Sequence, residues 1–307
     1  MKKILSVVLF ALSLDLLTVV SAEPMNSAQI SARTMQFEMG LDVYPFATPT
    51  DVVLVRDDSH VQVYKIKLDH FGAGRISILA RGPKGFLYNP SRNLHALLIV
   101  SGFFTGEQSI NLIGDFPNRV VVGFEYPYSA NDFQTDPGTI LQFVRKTPAQ
   151  IALALGWLSR QPWMKPQGLS VMGVSLGGVF LPSGLHLSQL MGVQLETSIY
   201  VCTGVNLTAI LTENLKDYIH PFLLGPLVSA LVAPTVLMDP KQHLPELKFP
   251  ALVIQTDNDT LIPPVSQAEL WGLLKGPKQQ VILHGPHVNP DQSELIRQIQ
   301  KTVLNNL

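Results

Sequence analysis

Apolar and polar positions alternate with a period of two over residues 51–56, 60–68 and 75–81, with Asp57-Asp58-Ser59 and Gly72-Ala73-Gly74 as turn residues between them. This alternation predicts antiparallel strands joined by short turns. Over 94–100 it gives way to an unbroken apolar run, and 120–124 is another, as expected for strands buried on both faces. Thr147-Pro148 reads as a helix start, with Ile151, Leu155 and Leu158 on one face. Further core strands are predicted at 168–172, 196–202, 250–256 and 279–283. A last amphipathic helix from about Asp291 carries Leu295, Ile299 and Val303 on one side. Residues 25–50 read as an irregular lead-in. Pro182 and Gly184 should kink the helix after residue 175 or end it early. Hairpins followed by alternating strands and helices predict an α/β fold: a mainly parallel sheet with antiparallel N-terminal strands and helices on both faces.

Residues 205–240 break this rhythm. They are rich in leucine, isoleucine and valine and are interrupted by Pro221, Pro226 and Pro234. They predict a helical lid insertion between two core strands, with Phe222 and Leu223 expected to face a substrate pocket.

Composition changes the picture at two points. With 46% hydrophobic and 15% charged residues, the 307-residue chain can bury a large core. A net charge of -1 gives no reason to expect nucleic acid as a partner. The N-terminus, Met1-Lys2-Lys3 before an apolar run over 4–20 and then Val20-Ser21-Ala22, reads as a signal peptide over residues 1–22. The domain expected after cleavage is 23–307, secreted or periplasmic, with no stable membrane span. Cys202 has no partner for an intramolecular disulfide, which suits an exported bacterial protein, and its apolar run predicts a buried thiol.

Candidate chemistry centres on Gly173-Val174-Ser175-Leu176-Gly177, after a predicted strand. This G-x-S-x-G pattern predicts a sharp strand-to-helix turn that exposes the Ser175 hydroxyl at a helix N-terminus. A serine needs a base and a carboxylate to orient that base. Two loops after predicted strands offer them: Asp257-Asn258-Asp259-Thr260-Leu261-Ile262-Pro263 and His284-Gly285-Pro286-His287. Asp259 and His287 are the favoured pair, with Asp257 the other candidate acid and His284 a packed or capping residue. Oxyanion donors are expected from the backbone N–H groups of Leu176 and of Phe103, in the loop Ser101-Gly102-Phe103-Phe104. His95 is expected to be a satisfied core histidine. Asp115, Glu125, Asp132 and Asp136 are expected to be solvated loop charges. No spacing suggests a metal or a phosphate-binding loop, so no cofactor is expected.

In the order serine, acid, histidine and in these motifs, the chain resembles the α/β-hydrolase superfamily of serine esterases and lipases over residues 51–307. The nucleophile motif matches at 173–177. The acid turn D-x-x-[VI]-P matches at 259–263, and the histidine before the last helix is His287. Where the family usually reads His-Gly-x, this chain has Ser101-Gly102-Phe103. The resemblance implies a serine hydrolase acting on a small carboxylic ester, here one with an apolar acyl group. An acyltransferase, a peptidase or a non-catalytic binding module on the same scaffold are the alternatives.

Overall fold

The period-two stretches form β1 (Thr48–Asp57), β2 (Val61–His70) and β3 (Gly74–Pro83), each antiparallel to the next, in a computed structural model. It describes residues 25–307 except 91–92, 103–104, 129–131, 133–135 and 137, so the expected signal peptide 1–22 and Phe103 lie outside the described residues. The two continuous apolar runs form β4 (Leu94–Val100) and β5 (Arg119–Glu125), and the further expected strands form β6 (Met164–Val174), β7 (Thr197–Val201), β8 (Ala251–Thr256) and β9 (Lys278–Leu283), the last a half-exposed edge strand and not a core one. Neighbours among these six run parallel, and the whole sheet has the order β1-β2-β3-β5-β4-β6-β7-β8-β9. The order reverses between β4 and β6. In open α/β sheets the carboxyl ends of strands at such a reversal are where ligands bind.

Helices flank both faces: α1 (Ser27–Glu38), α2 (Gly138–Leu158), α3 (Leu176–Leu190), α4 (Leu207–Leu215), α5 (Pro221–Val232), α6 (Pro240–His243), α7 (Pro264–Leu273) and α8 (Ser293–Leu304). Along β4, Ala96, Leu98 and Val100 join the larger core with α1, α2, α3 and α7, while Leu97 and Ile99 point to the other face. This is the two-residue period of a strand. The second face is covered more thinly, by α8 and the crossover from β4 to β5. That crossover holds a 3-10 turn (Gly106–Asn111) and no α-helix among its described residues.

Three local expectations fail for identifiable reasons. The lead-in is not irregular: Asn26 caps α1, its side chain accepting from Gln29 N while the Gln29 side chain accepts the Asn26 N–H. This reciprocal pair, together with burial of Ala32 and Met35, is enough to set the helix. The second correction concerns Thr147-Pro148, which lies inside α2 rather than at its start. Similarly, α3 runs 15 residues straight through Pro182. A proline inside a helix costs about 3 kcal/mol, yet α2 and α3 bury these turns against each other. A Cβ on Gly184 would lie 2.9 Å from Ile151 Cγ2 and 3.2 Å from Pro148 O. Hydroxyls of Thr147 and Ser183 donate to the carbonyls of Phe143 and Phe180 in the interrupted turns.

The end of the 205–240 segment is pinned to α3 by two buried histidines. His243 Nε2 lies 2.7 Å from Leu237 O, and a carbonyl only accepts, so that nitrogen bears the proton. His243 Nδ1 then accepts from His186 Nδ1–H at 3.0 Å, an arrangement that holds only while the His243 ring is neutral. Burial lowers the pKa of His186, and it brings that of His243 down to about 4. Between the usual 6.5 and that value the unfolded chain binds a proton that the folded chain refuses. Stability from this residue is therefore present at neutral pH and is lost as the pH falls through that window. The loss should reach up to about 3 kcal/mol in urea unfolding. His243→Gln should flatten the slope between pH 6.5 and 4; an unchanged slope would show that other groups set it.

Candidate active site

Ser175 sits between β6 and α3 with φ 53° and ψ -121°. A non-glycine residue at positive φ is strained by roughly 1–3 kcal/mol and persists only where its surroundings hold it. They do so here through hydrogen bonds at both ends of the residue. Ser175 N donates to Val201 O at 2.9 Å, and Ser175 O accepts from Thr203 Oγ1 at 2.9 Å and Gly178 N at 3.0 Å. The glycines are needed for space. A Cβ at Gly177 would lie 1.9 Å from Val100 O, and one at Gly173 would lie 2.7 Å from Gly178 Cα.

The loops after β8 and β9 bring Asp259 and His287 to this serine. His287 Nε2 is 2.8 Å from Ser175 Oγ, and His287 Nδ1 is 2.8 Å from Asp259 Oδ2. The other carboxylate oxygen accepts the N–H groups of Leu261 and Ile262, both at 2.9 Å. The Asp259 side chain is fully buried and that of His287 is 10% exposed. A carboxylate only accepts, so His287 Nδ1 carries a proton and Nε2 is left to take one from the hydroxyl. The main chain fixes the aspartate, the aspartate fixes the ring, and the ring faces the serine.

Asp257 does not reach His287. Its carboxylate accepts Gly285 N–H at 3.0 Å and pairs with His284 Nδ1 at 2.8 Å. His284 is therefore neither packed nor capping; its side chain is 87% exposed, and the partnership with Asp257 raises its pKa. Glu125 is also not a solvated charge. It accepts the Glu107 N–H, and burial pushes its carboxyl upward. Asp115 pairs with Arg81 at 3.4 Å, and Asp136 accepts the Gly138 N–H at the start of α2. Asp132 is partly buried, and its carbonyl accepts the Asp136 N–H. His95 finds Glu196 at 3.1 Å, and Cys202 is buried, its thiol pushed up to about 11. Among the described residues no group of three His, Cys, Asp or Glu side chains is placed to hold a metal ion.

No family model matches the sequence, and comparison with curated proteins finds none that matches it. Solved structures do match, over almost the whole chain. Acetyl xylan esterase 1 from Thermoanaerobacterium sp. JW/SL YS485 superposes with a TM-score of 0.63 at 14% identity, covering 92% of this chain and 95% of its own. The acetyl xylan esterase from Paenibacillus sp. R4 gives 0.61 at 15%, covering 92% and 96%. A hyperthermophilic esterase from the archaeon Pyrobaculum calidifontis gives 0.56 at 15%, covering 91% and 92%.

The chain has the α/β-hydrolase fold. Within that fold Leu176 is the first residue of α3, and Ser101 and Gly102 follow β4, all three bordering a cavity beside Ser175. Tyr126 Oη donates to Ser101 O at 2.8 Å, and Ser101 Oγ donates to Gly106 O at 3.0 Å, which steadies the described part of this loop. The helical insertion after β7 is present, but it does not wall the cavity. Phe222 is 82% and Leu223 56% exposed, which overturns the expectation that they face a pocket. Asn214 Nδ2 donates to Leu261 O and Asn206 Nδ2 to Glu269, tying α4 to the loop before α7 and to α7 itself. Residues Pro221–Glu246 have the length and apolarity of a membrane-crossing helix, with a mean hydropathy of 1.8, but the chain there breaks into separate α and 3-10 segments. The cavity residues Ile113 and Ile296 carried no sequence signal of a site, since apolar side chains at a site read like core.

Gly177→Ala should lower unfolding free energy by at least about 2 kcal/mol, because its Cβ would meet the main chain of β4 rather than a movable side chain. Differential scanning calorimetry checks this. A wild-type Tm would mean that the approach of α3 to β4 is looser than described.

Proposed function

We propose that this protein is a serine hydrolase that cleaves carboxylic esters by way of an acyl-enzyme. The observation that carries the reading is the hydrogen-bonded line Asp259–His287–Ser175, ending on the strained turn. That several solved structures of similar fold are named esterases supports it.

In this reading His287 Nε2 takes the hydroxyl proton as Ser175 Oγ attacks the ester carbonyl carbon. Asp259 stays ionised and stabilises the imidazolium. The negative charge on the carbonyl oxygen is met by the N–H of Leu176, at the positive end of α3, and by that of Phe103. The intermediate collapses, the C–O bond to the alcohol breaks, and His287 returns the proton to the departing oxygen. Water then attacks the acyl-enzyme with His287 again as base, and the carboxylic acid leaves with Ser175 restored. The substrate is a small ester with an apolar acyl group, and neither nucleic acid nor a cofactor takes part. The working chain is 23–307, secreted or periplasmic after loss of residues 1–22.

A fluorophosphonate probe should label the protein, with mass spectrometry placing the adduct on Ser175; labelling that survives Ser175→Ala would remove the nucleophile. Ser175→Ala and His287→Ala should each lower kcat by about 10⁶-fold, and Asp259→Asn by about 10⁴-fold. Asp257→Asn should change kcat only a few-fold. Equal damage from both aspartate variants would contradict the division of roles between the two pairs. Amide substrates and added alcohols in the same assay separate a peptidase or an acyltransferase from an esterase. N-terminal sequencing of exported protein should read from Glu23; a chain that keeps Met1 would exclude cleavage.

A further inference from the structure

The cavity that begins at Ser175 has a volume of about 410 Å³ and runs downward, between the sheet and α8, rather than outward beneath the helical insertion. Its floor is Ile99, Met172 and Val201 of the sheet; Ile296 and Ile299 of α8 and Ile113 of the β4–β5 crossover form its sides. Each of these six is less than 10% exposed. Among the described residues no Asp, Glu, Lys or Arg lines it. Ser109 borders the cavity, and its buried Oγ has no hydrogen-bond partner.

The empty space has a structural origin. Where the crossover could have laid a helix across this face of the sheet, its described residues make only a 3-10 turn and a loop. Polar clamps hold that loop at its edges. Arg81 donates to the carbonyls of Ile110, Ile113 and Gly114, and Glu107 takes Lys65 at 2.7 Å and Ser77 at 3.1 Å. A cavity lined by aliphatic side chains stays dry and destabilises the surrounding core. Here it opens beside a serine hydroxyl and is held open by ion pairs and carbonyl contacts.

Resting on the serine-hydrolase reading, we propose that this cavity takes the acyl chain of the substrate, an unbranched, uncharged chain of medium length. An acetyl group would fill only the mouth. The acyl half is assigned by the order of events. The alcohol must leave before water enters, whereas the acyl group stays bound to Ser175 through both halves of the reaction, which suits a pocket whose floor is core. Ionised or phosphorylated acyl groups are excluded by the absence of any charged partner in the described wall.

The experiment is a chain-length series of p-nitrophenyl esters (acetate, butyrate, hexanoate, octanoate, dodecanoate) beside alkyl acetates of matching length. kcat/KM should rise about fourfold per added methylene in the acyl series and then level off. Ile299→Phe should cut the octanoate-to-acetate ratio about fourfold, since the larger side chain takes the room of about one methylene. Ile113→Phe fills the same space from the crossover and serves if the helix variant does not fold. Replacing the exposed pair Phe222 and Leu223 with serine should leave the ratio unchanged. A flat acyl series with Ser175-dependent turnover would overturn the acyl pocket while leaving the hydrolase intact. Length dependence confined to the alkyl acetates, or carried by Phe222 and Leu223, would overturn it equally. Should no ester be turned over, calorimetry on Ser175→Ala decides. Octanoate binding tighter than butyrate, and weakened by Ile299→Phe, keeps the pocket; equal or absent binding removes it.

Discussion

The close approach of two main chains, at Gly177 and the end of β4, sets the geometry of everything at the functional end of the sheet. The carbonyl of Val100 occupies the space that any side chain on Gly177 would need. With α3 brought that near, the turn before it can close only by putting Ser175 at positive φ, and the hydrogen bonds to the Val201 carbonyl and from the Thr203 hydroxyl hold it there. The contact therefore does three things at once. It points the Ser175 hydroxyl out of the sheet, puts the N-terminus of α3 beside it, and draws the loop after β4 against the same spot. Asp259 and His287 arrive on other strands and need only meet a hydroxyl whose position is already fixed.

A second constraint acts on the opposite face. The larger core is filled by helices in the usual way, with two prolines absorbed because the helices that contain them are buried against each other. The smaller core is not filled. Its crossover is fastened by charged and polar groups at the rim: the buried guanidinium of Arg81 on three carbonyls, and the Glu107 carboxylate on Lys65 and Ser77. Such anchors fix a loop without requiring side chains in the space beneath it. Apolar packing could not, because its stabilisation comes from occupying that space.

How much of this was legible in the sequence follows from the range of each signal. Gly173 to Gly177 and Asp259 to Pro263 are motifs in which neighbouring residues constrain one another. Both could therefore be read locally, as could the antiparallel start and parallel remainder of the sheet. Asp259 rather than Asp257 contacts His287, and Pro263, which closes the same turn, is what marked it. Helix boundaries were less legible, since Pro148 and Pro182 are breakers by propensity and only the crossing of α2 and α3 overrides them. The capping of α1 by Asn26 and Gln29 is a local signal of the same kind as those two motifs, and it outweighs the irregular composition of the lead-in. The cavity could not have been read. It is an absence between Ile99, Ile113 and Ile299, three residues far apart in the chain that each look like ordinary core. The apolar residues of 205–240 pointed to the wrong wall, because a run of leucines carries no information about which side of the sheet it will cover.

The depth of the cavity bears on how a catalytic cycle would end. On the proposed reaction, a chain drawn into an aliphatic pocket would bind more tightly with each methylene, and the carboxylic acid formed there would keep every one of those contacts after its bond to Ser175 is cut. Selectivity for longer chains and slow escape of the product then have a single cause. A site of this shape would trade turnover for retention as its substrates lengthen, and free fatty acid would compete with the next ester for the same walls.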